Sequence, residues 1–125
     1  MSLTSPQLIL FLLSGTLGVV GNMLLKAGMN AIKDVDFSLS ALVPSMLKMF
    51  TNPAVFIGFV LYGVSSILYL KLIAQLEITK IYPLVVAYMF LLLMPLGAIF
   101  LKEQLTLTKV AGATVIITGI FIASR

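Results

Sequence analysis

The stretch that most constrains this chain runs from Ile81 to Thr106, IYPLVVAYMFLLLMPLGAIFLKEQLT. Its first 21 residues, Ile81 to Leu101, carry no charge, and the run closes on Lys102-Glu103. At about 1.5 Å rise per residue it spans roughly 30 Å, the thickness of a bilayer's hydrocarbon core. A soluble helix of that length shows a polar face somewhere, and this one has none. The stretch reads as a membrane-spanning helix, and the other apolar runs as its neighbours. Pro83 falls near its start, where the ring is tolerated. Pro95 falls in its interior, removes the hydrogen bond to the Leu91 carbonyl, and predicts a kink.

Composition agrees. Hydrophobic residues make up 61% of the chain and charged residues 10%, with mean hydropathy +1.19, against about 45–50% and 25% in soluble domains. At 125 residues the chain is one domain, 1–125. The net charge of +4 is spread thinly over loops and helix ends, which suits lipid headgroups and not nucleic acid. With no cysteine there is no disulfide or thiolate, and with no histidine the usual general base and metal ligand are gone. No acid–base pair, metal cluster or activated nucleophile is legible, so the expectation is a non-enzyme without cofactor or metal. The opening MSLTSPQ lacks the basic region of a cleavable signal peptide.

Three further apolar runs accompany the first. Leu8 to Leu25 holds 18 uncharged residues and ends at Lys26. Ser14, Gly18 and Asn22 recur every four residues on one of its faces. The small residues read as a surface for close helix approach. Asn22, an amide in hydrocarbon, needs partners and reads equally as interhelical glue or a cavity group. Asn52-Pro53 is a helix-start signal for the run from Ala54 to Leu70. Within it Tyr62, Ser65, Ser66 and Tyr69 form a polar stripe. Tyr62 reads as cavity-lining, Tyr69 as that or an interfacial anchor, and Lys71 as a cation that snorkels or sits at a cavity mouth. The connection Gln75 to Lys80 is short, making the flanking helices antiparallel neighbours. Thr106 or Thr108 can cap the last run, Val110 to Ser124, in which Gly112 and Gly119 offer a close-packing stripe suited to dimerisation.

Between the first two runs lies the one sizeable polar connection. Leu39, Leu42, Val43, Met46, Leu47 and Phe50 follow a helical period, with Ser38 or Ser40 as candidate caps and Pro44 in the first turn. Too short to span, this segment is expected to lie in the membrane interface, a simple loop being the alternative. Lys26, Lys33, Lys48, Lys102 and Lys109 fall on one side of the resulting map, and Lys71, Lys80 and Arg125 on the other. The cytoplasmic bias of basic residues then puts both termini outside, by a slim margin.

The chain resembles the four-helix branch of the drug/metabolite transporter superfamily: small multidrug resistance proteins and the related small subunits that flip aminoarabinose-phospholipid. The resemblance covers nearly the whole chain. It rests on GNMLLKAG (Gly21 to Gly28), Tyr62, Ile81-Tyr82-Pro83, Lys102-Glu103-Gln-Leu-Thr106 and Gly112-Ala-Thr-Val-Ile-Ile-Thr-Gly119. It implies a dimer, antiparallel in the multidrug case, with a cavity between subunits. One departure matters. The multidrug proteins' membrane-buried glutamate falls at Gly18 here and their cavity tryptophan at Val85, while their tyrosines match Tyr62 and Tyr82. Proton-for-cation exchange needs a buried carboxylate, and no acidic residue lies mid-span. The Tyr-Pro pair and the missing glutamate fit the lipid-flipping relatives better.

The reading is an all-α membrane protein with four transmembrane helices and one amphipathic interfacial helix between spans one and two. Spans are predicted near 7–26, 54–75, 80–101 and 106–124, with the in-plane helix near 39–50. The expected function is a transporter or flippase subunit moving an amphipathic or lipid-linked substrate, by resemblance an undecaprenyl-phosphate sugar. It would act as a homodimer, or a heterodimer with a similar small subunit, in a bacterial or archaeal cytoplasmic membrane. Candidate cavity residues are Ser14, Gly18, Asn22, Tyr62, Ser65, Tyr69 and Tyr82, with Lys26 and Lys71 for phosphate, and Gly112 and Gly119 for dimer packing. A small-molecule exporter and a non-transporting accessory subunit are the alternatives.

Overall fold

A computed structural model of the chain describes residues 3–32, 35–123 and 125, so that Lys33 and Ser124 lie outside the described residues. Thr4 starts the first helix with a capping box: its side chain accepts from the Gln7 backbone, and the Gln7 side chain accepts from the Thr4 N–H. With Pro6 in the first turn, α1 (Ser5–Ala31) then runs unbroken past Lys26. It is longer than expected because a single lysine does not stop a helix whose next turn still packs. Gly28 lies against the Val55 side chain, and a Cβ there would also come within 2.9 Å of the Asn52 Oδ1.

The polar connection folds as α2 (Leu42–Thr51), with Pro44 in its first turn. The helix begins later than 39 and without a side-chain cap. Ser38 and Ser40 are not caps: the Ser38 N–H and hydroxyl both donate to the Asp36 carboxylate, and its hydroxyl also meets that of Ser40. Ser45 is the clasp that sequence reading missed. Its buried hydroxyl accepts from the Asp36 N–H at 3.0 Å and donates to the Asp36 carbonyl at 2.7 Å. Most of the predicted apolar stripe faces away from the protein, with Val43, Met46, Leu47 and Phe50 exposed. Phe50 stacks on Phe59 at 5.2 Å, which ties α2 to the next helix.

Asn52 caps that helix as expected, its side chain accepting from the Ala54 and Val55 N–H groups at 3.0 and 3.2 Å. It is α3 (Pro53–Gln75), and a two-residue turn at Leu76-Glu77 leads into α4 (Ile78–Phe100), which continues helical through Pro83 and Pro95. Thr106 accepts from the Lys109 N–H at 3.2 Å and opens α5 (Leu107–Ala123). Among the described residues the chain is thus all-helical, and α1, α3 and α4 are long and apolar enough to cross a membrane. At 17 residues α5 is shorter, about 25 Å of helix.

The packing is uneven. Antiparallel α1 and α3 form the tightest pair, with Gly21 and Gly58 at the crossing. A Cβ on Gly58 would lie 2.9 Å from the Gly21 carbonyl and from the Leu25 backbone nitrogen, so only glycine permits this approach. Further along, α4 packs on α1: the Tyr88 ring lies over Gly15 and its hydroxyl pairs with that of Thr16 at 2.9 Å. The expectation that α3 and α4 are antiparallel neighbours is met at the turn that joins them and not along their length. Joined by a short turn, they nonetheless pack mainly on α1 and diverge from each other. They meet near the turn, where Leu72, Ile81 and Val85 form a buried cluster. A short connection dictates where two helices start, not the angle at which they leave it, and the glycine-rich α1 is the better partner for both. The last helix, α5, packs chiefly on α4 and is mostly exposed, with Ala113 buried among its described residues.

Candidate functional site

The divergence of α3 and α4 leaves a cavity of about 340 Å³ between them, floored by Ser14 of α1. Of its lining, Val85 belongs to the buried Leu72–Ile81–Val85 cluster and Tyr69 packs on it. The side walls are apolar, chiefly Val85, Val86, Met89, Phe90 and Leu93 of α4. The polar groups come from the stripe on α3 and from the start of α4: Tyr62, Ser65, Ser66, Tyr69 and Tyr82. Among the described residues no charged side chain lines it.

The hydroxyls are not equivalent. Ser65 donates to the Ser14 carbonyl at 2.6 Å, Ser14 to the Phe11 carbonyl at 3.2 Å, and Ser66 to the Tyr62 carbonyl at 2.9 Å. The serines have therefore spent their one donor each on backbone and keep only acceptor capacity. The tyrosines hold the donors. Tyr62 and Tyr82 are half-exposed at 44% and 55%. The Tyr69 hydroxyl is buried without a hydrogen-bond partner among the described residues, and its ring lies 6.4 Å from that of Tyr82. A buried orphan hydroxyl is unusual, because burying one without a partner costs about 1–3 kcal/mol. A ligand accepting from Tyr69 would remove that cost.

Of the cavity candidates named from sequence, five line it: Ser14, Tyr62, Ser65, Tyr69 and Tyr82. Gly18 lies just beneath, where a Cβ would come 2.8 Å from the Met89 Cε and 3.0 Å from the Ser65 Oγ. The space a glutamate would need there is held by Met89. Asn22 is half-buried on α1 and does not line the cavity. Lys26 and Lys71 are exposed and do not line it either. Lys26 stands twelve residues beyond Ser14, about 18 Å along the helix. Lys71 adjoins Leu72, which shares a cluster with Ile81 next to Tyr82, yet it is not part of the lining. The two lysines are thus not brought together at the site. Gly112 and Gly119 have nothing within 4 Å of where a Cβ would be, and Gly112 lines a second cavity, between α4 and α5.

Sequence reading missed the apolar wall. Its signal was present as the helical spacing of Tyr82, Val85, Val86, Met89 and Leu93, but in a helix apolar on every side that spacing does not stand out. Val85 of that wall is also part of the buried Leu72–Ile81–Val85 cluster.

The chain is similar to an uncharacterized protein, y4nH, of Sinorhizobium fredii (strain NBRC 101917 / NGR234). The two are 28% identical over 125 residues, which is 98% of each chain. No family model and no solved structure matches the chain.

Proposed function

We propose that this protein moves an amphipathic, lipid-linked substrate across a bacterial or archaeal cytoplasmic membrane, with the cavity between α3 and α4 as the headgroup shelter. One observation carries the reading: a cavity with apolar walls and, among the described residues, no charged lining, whose free donors are tyrosine hydroxyls, including the buried Tyr69 without a partner among those residues. A flippase must hold a polar headgroup out of hydrocarbon while the tail stays in lipid. Hydroxyl donors suit a sugar or phosphate oxygen, and a carboxylate would repel the latter. In this reading α5 is a fourth span and α2 an in-plane helix, its exposed Val43, Met46, Leu47 and Phe50 facing acyl chains. The working unit is a dimer. Among the described residues α5 packs chiefly on α4, and Gly119, with nothing within 4 Å of where a Cβ would be, is open to a second copy or a similar small subunit.

The test is transbilayer movement of a fluorescent undecaprenyl-phosphate sugar in proteoliposomes, read by quenching from outside. The protein is expected to accelerate it, and Tyr69→Phe with Tyr82→Phe to abolish the acceleration. Proton-driven efflux of a hydrophobic quaternary cation by the unmodified protein, with no lipid movement, overturns the proposal.

A further inference from the structure

A second cavity, of about 360 Å³, lies between the C-terminal half of α4, the 101–106 turn and the first half of α5. Phe90 and Leu93 of α4 wall it off from the first cavity. Its body is apolar, with Met94, Ala98, Ala113 and Ile116 among its lining. Its end at the turn carries two opposite charges, Glu103 and Lys109.

Both charges stand where helix dipoles disfavour them. Glu103 lies just past the C-terminus of α4, beside that helix's free carbonyls, and Lys109 lies in the first turn of α5. They do not neutralise each other: among the described residues the one ion pair is Lys80 with Glu77. Each is nonetheless held in place. The Lys109 ammonium donates to the Gln104 carbonyl at 2.6 Å, keeping its other N–H groups free. Lys102 adopts a left-handed backbone with φ 56°, which turns the chain back so that the Glu103 N–H donates to the Gly97 carbonyl at 3.2 Å. The Glu103 carboxylate then covers Gly97, its Oε2 3.3 Å from where a side chain would begin. Because the uncharged run ends at Leu101, this charged mouth sits at headgroup depth.

A matching ligand carries a cation and an anion a few ångströms apart on an apolar body. We propose that the α4–α5 groove binds a zwitterionic glycerophospholipid with a primary ammonium headgroup. The ammonium donates to Glu103 and the last carbonyls of α4, the phosphate accepts from Lys109 near the start of α5, and an acyl chain fills the groove. A quaternary headgroup has no N–H to give Glu103, and an anionic one offers Lys109 its phosphate but leaves Glu103 unpaired. A second copy's apolar helix in the groove would bury both charges without partners. The inference is independent of the transport reading and requires only that α4 and α5 lie in a bilayer.

Native mass spectrometry of the protein in non-ionic detergent tests it, with dioleoyl phosphatidylethanolamine, phosphatidylcholine and phosphatidylglycerol as probes. The ethanolamine lipid is expected to be retained about tenfold better than the choline lipid, the worth of one charge-assisted hydrogen bond. Glu103→Gln should remove the preference for ethanolamine over glycerol headgroups, and Lys109→Ala should weaken both. Ala113→Trp, which fills the groove, should lower retention of all three while far-UV circular dichroism stays unchanged. Equal retention of the three lipids, or ethanolamine retention unmoved by Glu103→Gln and Lys109→Ala, overturns the proposal. So does efficient disulfide crosslinking between Leu105→Cys on one copy and Ile116→Cys on another in bilayers, which would put a second copy in the groove.

Discussion

Replacing Tyr69 with phenylalanine should move stability and binding in opposite directions. The ring of Tyr69 packs against the Leu72–Ile81–Val85 cluster and beside Tyr82, and phenylalanine keeps that shape. What disappears is one oxygen, buried and without a partner among the described residues. A buried unsatisfied hydroxyl costs about 1–3 kcal/mol, so its removal should stabilise the free protein by about 1 kcal/mol. If a substrate oxygen accepts from that hydroxyl, the variant loses the hydrogen bond, and affinity for the undecaprenyl-phosphate sugar should fall about tenfold, or 1.4 kcal/mol. The chain has no tryptophan, so unfolding is followed by circular dichroism during a sodium dodecyl sulfate titration in mixed micelles. Binding is measured by competition against a radiolabelled lipid. A variant destabilised by 1 kcal/mol or more would show that the hydroxyl already has a partner, such as cavity water, in the free protein. Unchanged affinity alongside raised stability would mean that no ligand uses it.

Three other outcomes follow from the packing. Gly58→Ala places a methyl 2.9 Å from backbone atoms of α1 and should cost about 1–3 kcal/mol, whereas Gly63→Ala, with nothing within 4 Å, should gain up to about 1 kcal/mol from helix propensity. The same unfolding titration separates them, and equal effects would refute the crossing at Gly21 and Gly58. Gly119→Leu should shift the protein toward monomer in mild detergent, while Leu92→Ala leaves the distribution unchanged; sedimentation equilibrium decides. Ser45→Ala removes both hydrogen bonds to the Asp36 backbone and should speed amide hydrogen exchange at Asp36 several-fold, a loss of about 1 kcal/mol of local protection.

Sequence alone marked the helical segments and the length and apolarity that suit three of them to crossing a membrane. An uncharged run of 21 residues has few low-energy options besides a helix in lipid, because its backbone groups must pair internally. Local chemistry likewise marked the start at Asn52-Pro53 and narrowed the last one to Thr106 or Thr108, since a cap involves residues two or three apart. It marked the tyrosine stripe as well, because Tyr62 and Tyr69 are polar in an otherwise apolar helix. Tertiary structure decided everything that depends on which face meets which. In helices apolar all round, hydrophobic periodicity carries no facing information, so the wall of Val85, Val86, Met89 and Leu93 was not legible. The divergence of α3 from α4 was hidden for the same reason: it arises from the closer approach that Gly15, Gly21 and Gly58 allow around α1. That geometry left Lys26 and Lys71 exposed and outside the lining of this cavity. It also placed Glu103 and Lys109, six residues apart in the chain, at the mouth of one groove. A positive φ at Lys102 did this, at a residue whose identity gives no hint of it: side-chain type biases local backbone only weakly, and the fold selects the rest.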